Sequence, residues 1–199
     1  MQKIYAILIA VFSLSAMHIT AQDLADLETY EKAMKPGAQL TYNVTANGKE
    51  YKLILTLKKL GDEVSFTYKT TDPDNKSGSV TMSHNAVTNA KALSNIFTGG
   101  DSKLDKETCL WLSSAVCSDI TGSAQTSLKL NGASDTTTVM GNTMGTFPFI
   151  INDNGVSLSG WELEGGNPKC TIDILESPKL PLIYKLDNGW SMMLLEIKN

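Results

Sequence analysis

LTYNVTANGKEYKLILTLKK, residues 40–59, is the stretch on which the fold turns. Leu40, Tyr42, Val44 and Ala46 alternate with Thr41, Asn43 and Thr45, the period of a half-buried strand. Asn47-Gly48 follows, the favoured pair for a tight type I′ hairpin. Beyond it Tyr51, Leu53, Leu55 and Leu57 alternate with Lys52, Ile54, Thr56 and Lys58. Gly61-Asp62 makes a second turn, after which Val64, Phe66 and Tyr68 repeat the pattern. Residues 40–68 therefore read as a three-strand antiparallel meander.

Working outward, the sequence continues in the same idiom. Upstream, Leu24, Leu27, Tyr30 and Met34 at helical spacing predict an amphipathic helix over 23–35, stopped by Pro36-Gly37. Downstream, the turn-rich run Asp72–Gly78 leads to a fourth strand at Val80 and Met82. Ser83 then caps a predicted helix over 84–97 whose Ala86, Ala90, Leu93 and Phe97 share one face. Residues 107–120 fit one helix, or a buried strand running into a helical turn. The second half returns to strands at 125–130, 135–140, 145–151, 155–164, 169–175, 181–187 and 190–197. Asn131-Gly132, Asn154-Gly155 and Asn188-Gly189 punctuate them. The expected class is mainly β (α+β): a curved antiparallel sheet or half-barrel of about 9–11 strands, with two or three short helices on one face.

The N-terminus has a different composition. Lys3 precedes an almost wholly apolar run from Ile4 to Leu14, and Thr20-Ala21-Gln22 follows, the order of a secretory signal. Residues 1–21 are expected to be cleaved near Ala21, leaving one antiparallel β domain over 22–199 in the periplasm or outside the cell. Nothing after residue 21 is apolar for long enough to span a bilayer. The removed segment carries one lysine and no acid, so the formal charge of −4 becomes −5. Every Lys/Arg position in the chain is lysine. Arginine forks are the favoured device for binding phosphate. Their absence, with the acidic balance, argues against a nucleic-acid partner.

Candidate chemistry is sparse. Residues 22–199 hold a single histidine, His84, beside Ser83, where a helix start is the plainer role than a triad member. Asp72, Asp74, Asn75 and Ser77 mimic a calcium loop. Lys76 takes a ligand position, however, and Ser83 stands where the bidentate glutamate belongs. Glu162 and Glu164 lie about 7 Å apart along one face of a strand, a polar side and not two carboxylates opposed across a cleft. No catalytic residue, metal site or cofactor is expected. Cys109 and Cys117 would lie about 12 Å apart on a continuous helix, too far for a bridge. A disulfide would then join Cys170 to Cys109 or Cys117; the alternative is three buried thiols.

The final hairpin, PLIYKLDNGWSMMLLEI over 181–197, is apolar on both faces: Trp190, Met192 and Leu194 against Met193, Leu195 and Ile197. Such a strand is buried twice or lines a cavity. Taken with Leu40–Tyr68 and Val80–Phe97, this organisation resembles the LolA-like half-barrel, a curved sheet closed on one side by helices around an apolar cavity. The resemblance implies an inward wall of Tyr51, Leu53, Leu55, Phe66, Tyr68 and Trp190. The chain departs from the lipoprotein carriers in lacking arginine. The expectation is a non-enzymatic exported protein holding a hydrophobic small molecule or an envelope protein partner. Its rivals are an envelope interaction module with a filled core, and an unrecognised hydrolase.

Overall fold

In the computed structural model, which describes residues 21–95, 97–133, 135–177 and 181–199, the meander forms as its alternation requires. Strands β1 (Gln39–Ala46), β2 (Lys49–Lys59), β3 (Val64–Thr70) and β4 (Ser77–Met82) pair antiparallel in chain order. Leu40 lies opposite Leu55 and Tyr42 opposite Leu53, all four buried. Asn47 and Gly48 take φ of 53° and 72°, the left-handed pair of a type I′ turn. Residues 1–20, most of the expected signal, lie outside the described residues, and Ala21 opens helix α1 (Ala21–Ala33).

The segment after β4 departs from the predicted long helix. Ser83 caps as expected, its hydroxyl accepting from the Ala86 N–H at 3.2 Å. Helix α2 (His84–Asn89) nevertheless ends at Ala90, which is extended. Strand partners outcompete further helical bonds here. Thr108 N–H donates to the Ala92 carbonyl at 2.8 Å, and Asn131 N–H donates to that of Leu93 at 2.6 Å. The result is a two-residue strand, β5 (Ala92–Leu93), followed by β6 (Gly100–Leu104), which lies parallel to β4. A Cβ on Gly78 would sit 1.7 Å from the Gly100 carbonyl oxygen, so only glycine lets β4 and β6 approach there. Residues 108–112 form a buried non-helical segment, with isolated bridges at Thr108 and Trp111 and a bend between them where Leu110 takes φ 64°. Helix α3 (Ser114–Ser123) then starts on an N-cap, Ser113, whose hydroxyl accepts from Val116 N–H. One helix over 107–120 is excluded, and the alternative holds in outline, with two isolated bridges in place of a strand.

The second half supplies β7 (Gln125–Leu130), β8 (Thr136–Ile151), β9 (Asn154–Gly166), β10 (Lys169–Leu175), β11 (Ile183–Asp187) and β12 (Ser191–Lys198). Two expected strands are one here, since β8 runs unbroken through a register shift between Gly141 and Thr143. Its turn into β9 is Asn152-Asp153, at φ 47° and 66°, and Asn154-Gly155 already belongs to β9. The twelve strands form one sheet in the order β5-β7-β8-β9-β10-β11-β12-β1-β2-β3-β4-β6. Ile150 and Ile151 also pair in parallel with Glu196 and Ile197, closing β8 to β12 into a five-strand ring. The architecture is mainly β, curved into a small barrel with three helices among the described residues. Helix α1 packs on β8 and β9, α2 on β4 and α3, and α3 on β7.

The doubly apolar last strand has a specific explanation. Thr41 pairs with Glu196, but Tyr42 pairs with Leu194, leaving Leu195 as a bulge. The extra residue resets the alternation, so Met192, Leu194 and Ile197 are all buried, while Met193 is exposed and Leu195 half-buried. A single buried face, broken by a bulge, had read as two.

Candidate functional site

None of the six predicted wall residues borders either of the two clefts described below. Leu53, Leu55, Phe66 and Tyr68 are buried; Tyr51 and Trp190 are half-buried at the margin of the core. Beside Phe66 stands the 108–112 segment. Trp111, fully buried, packs on Phe66 with ring centroids 5.7 Å apart. Ile183 N–H donates to the Leu110 carbonyl at 2.8 Å, and Leu112 N–H to that of Pro181 at 3.1 Å. The segment is thereby strapped to the start of β11. Tyr68 packs edge-on against Phe97, and its hydroxyl accepts from Gly99 N–H at 2.9 Å. Beside Phe66 and Tyr68, then, the neighbouring space is taken by the protein's own Trp111 and Phe97. The signal was the apolar run Cys109-Leu110-Trp111-Leu112, long enough to cross a core.

A cleft of about 750 Å³ opens elsewhere, between α1, α3 and strands β8–β10. Its apolar wall includes Leu24 and Leu27 of α1, Ile120 of α3, Met144 of β8, Trp161 of β9 and Ile174 of β10. It forms where α1 seats its predicted face only in part: Tyr30 is buried and Leu27 and Met34 pack partly buried on the core, while Leu24 near the helix start is exposed. Asp26 is buried, with Tyr30 and Ala33 following at i+4 and i+7. One Asp26 oxygen accepts from Ser157 N–H at 2.9 Å, and the other from the Gln22 amide at 2.7 Å. Ser157 lies beyond the β10 pairing, which covers β9 only from Gly160 to Gly166. The side-chain carboxylate takes the place of a neighbouring strand. With Asp26 turned to the sheet, Leu24 is left 57% exposed and Leu27 half-buried, both on the cleft.

The floor owes its shape to missing side chains. A Cβ on Gly141 would stand 3.3 Å from Cε3 of Trp161 and 3.5 Å from Ile120, so the indole lies against the bare backbone at 141. Gly160 leaves room for Phe147, which stacks on Tyr184 at 4.9 Å between centroids. Tyr184 is the extra residue at the register shift where Asp173 pairs with Lys185 and Ile174 with Ile183. Its hydroxyl donates to the Pro148 carbonyl at 3.0 Å. Cys117 borders the cleft on α3, and burial pushes its thiol up to about 12. The charged groups among the described lining residues are Asp23 and Glu176, both acidic.

Comparison with protein-family models, curated proteins and solved structures finds no match. The remaining candidates therefore stand or fall on geometry. His84 is exposed on a second cleft of about 510 Å³ that also touches Asp62, Ser114 and Ser177. Its sequence neighbour Ser83 is committed to the α2 cap and donates to the Asp105 carboxylate at 2.6 Å. In the calcium-like loop, Lys76 Nζ stands 3.5 Å from Asp74 and 4.0 Å from Asp72, while the Thr70 hydroxyl donates to Asp72. A lysine occupies the place of a cation. Glu162 and Glu164 are exposed on the outer face of β9, as their spacing implies. Among the described residues no group of three or more His, Cys, Asp or Glu side chains could hold a metal. Cys109, Cys117 and Cys170 are free thiols, so the structure forms no bridge from Cys170 to either of the others. No described helix is long and apolar enough to cross a membrane.

Proposed function

We propose that this is a non-enzymatic, exported binding protein that holds a hydrophobic guest in the cleft between α1, α3 and β8–β10. One observation carries the proposal: a helix docked through a buried carboxylate presents two leucines to an open apolar cleft and leaves one of them mostly exposed. An exposed Leu24 on its own would be ordinary. Leu24 facing Met144, Trp161 and Ile174 across about 750 Å³ is a space of ligand size. A guest under helices that cross a curved sheet is what the LolA-like resemblance implies, although the site lies to one side of the expected wall. Export rests on the signal-like order of residues 1–21.

The filled interior around Trp111 favours the rival reading, an envelope interaction module with no guest. Titration with a lipophilic dye, together with mass spectrometry of the purified protein for co-purified lipid, separates the two. Guest binding requires saturable dye uptake that is lost when the exposed cleft residue Ser118 is enlarged (Ser118→Trp) with the unfolding midpoint unchanged. A clean spectrum with no dye uptake sinks it. The hydrolase reading requires an activity that His84→Ala abolishes.

A further inference from the structure

We infer that β6 is a self-recognition edge, through which two copies of this chain pair as antiparallel strands about a twofold axis at Ser102. β6 stands at one end of the strand order, and no described strand pairs with its outer side. Gly100, Asp101, Ser102 and Lys103 are exposed, and Leu104 is half-buried. Ser83 N–H donates to the Leu104 carbonyl at 2.9 Å, so Leu104 turns its backbone groups to β4. The direction of those groups alternates along a strand, and Ser102 therefore turns the same way. Asp101 and Lys103 turn theirs to the open edge. Such a row of backbone groups is a template for a further strand.

Charge selects which strand fits. With Ser102 opposite Ser102 of the second copy, Asp101 faces Lys103 of the second copy, and Lys103 faces its Asp101. The outward backbone groups then form two hydrogen-bonded pairs that coincide with two opposite-charge pairs, and the twofold axis supplies both at once. Asp101 and Lys103 lie opposite Ser79 and Thr81 of β4. The Ser79 hydroxyl donates to one Asp101 oxygen at 2.8 Å, leaving the second for a lysine. Sliding the added strand by two residues sets Asp101 against Asp101, or Lys103 against Lys103, and like charges directly opposite repel. Sliding by one offers backbone groups that already face β4. A lysine on a sheet edge ordinarily guards it. Here the aspartate two residues earlier supplies its partner in the one register that satisfies the backbone. On the other face, Leu104 meets Gly100 of the second copy, whose missing side chain leaves it room. A strand of five residues falls well short of the about 20–30 residues a side of a permanent interface, so the association is weak and needs trapping.

The test is disulfide trapping of the Ser102→Cys protein under mild oxidation in low salt at pH 7. Residues opposed in a non-hydrogen-bonded pair have Cα atoms about 4.5 Å apart, within reach of a disulfide. A dimer linked at position 102 is expected, read on non-reducing gels and by peptide mapping. Adding Lys103→Asp or Asp101→Lys should each slow linking about tenfold, and the double change Asp101→Lys/Lys103→Asp should restore it. The two single changes shift thiol reactivity in opposite directions, so slowing by both reports pairing and not thiol chemistry. Rising salt should narrow the differences. Circular dichroism and unfolding midpoints check that each variant is folded. Linking no faster than that of a Lys58→Cys protein, whose exposed thiol lies away from this edge, overturns the inference. So does linking that ignores the single changes, or a double change that fails to restore it. The edge is then guarded by its lysine or reserved for a strand of another protein.

Discussion

Replacing Asp26 probes the joint between the fold and its cleft. Its carboxylate is the acceptor that Ser157 N–H uses where β9 has run past β10, and it ties α1 to the sheet. Asp26→Ala removes a charge-assisted bond, worth about 1.5–3 kcal/mol when the donor is left stranded. Ser157 is half-buried, so water reaches part of the vacated site and the loss falls toward the lower end, about 1.5–2 kcal/mol. Asp26→Asn retains one acceptor oxygen for Ser157, and its amide can face a turned Gln22, so the cost should stay below about 1 kcal/mol. Urea unfolding gives the global figure. Exchange of the Ser157 amide gives the local one, accelerated about tenfold or more in the alanine variant, because 1.4 kcal/mol is a factor of ten. Leu24 and Leu27 travel with α1, so dye affinity should fall in the same order, alanine below asparagine below wild type. Equal behaviour of the two variants, or unchanged Ser157 exchange in the alanine variant, would refute the docking role.

Three further outcomes follow from individual contacts. Gly160→Ala places a Cβ 1.9 Å from the Ile174 carbonyl oxygen and 2.7 Å from Phe147. Because backbone blocks it, the cost should reach about 3 kcal/mol in urea, while Gly155→Ala, with nothing within 4 Å, should be far milder. Cys117, its thiol pushed up to about 12 by burial, should alkylate with iodoacetamide at pH 8 about a hundredfold more slowly than free cysteine, and more slowly still with guest bound. The raised value also means that this thiol stabilises the fold below its unfolded pKa and ceases to do so as pH climbs toward 12; intact mass and alkaline unfolding check the two statements. Asp173 is held above the usual carboxylate range, chiefly by burial, with Glu162 adding to the rise and Lys185 opposing it. A raised carboxyl favours the fold when protonated and loses that contribution as pH rises through its folded pKa. Asp173→Asn should therefore raise the unfolding midpoint at pH 7 and leave it unchanged at pH 3.

The periodic parts of the fold were legible in the sequence, and the parts set by tertiary competition were not. Residues 40–68 alternate strictly because each strand buries one face, and the structure pairs them as the alternation implies. The bulge at Leu195 was hidden because one extra residue mimics a second apolar face. Helix α2 stopped early for a reason 16 and 38 residues further on, the strand partners Thr108 and Asn131 of Ala92 and Leu93, which no local window contains. Alternation identified which residues of β2 and β3 face inward, but not that Trp111 would pack on Phe66. On α1 the spacing identified Leu27, Tyr30 and Met34 as core-facing but not Asp26, since an aspartate in a helix reads as solvent-facing until a strand N–H that needs an acceptor is found beside it.

The most direct measurement is amide and methyl shift mapping by NMR of the protein titrated with dodecanol. Saturable shifts should gather on Leu24, Leu27, Cys117, Met144, Trp161 and Ile174, the faces that enclose the space between α1, α3 and β8–β10. Leu53, Leu55 and Phe66 should stay still. Shifts centred on those three core positions, or no saturable response anywhere, would contradict a guest held beneath α1.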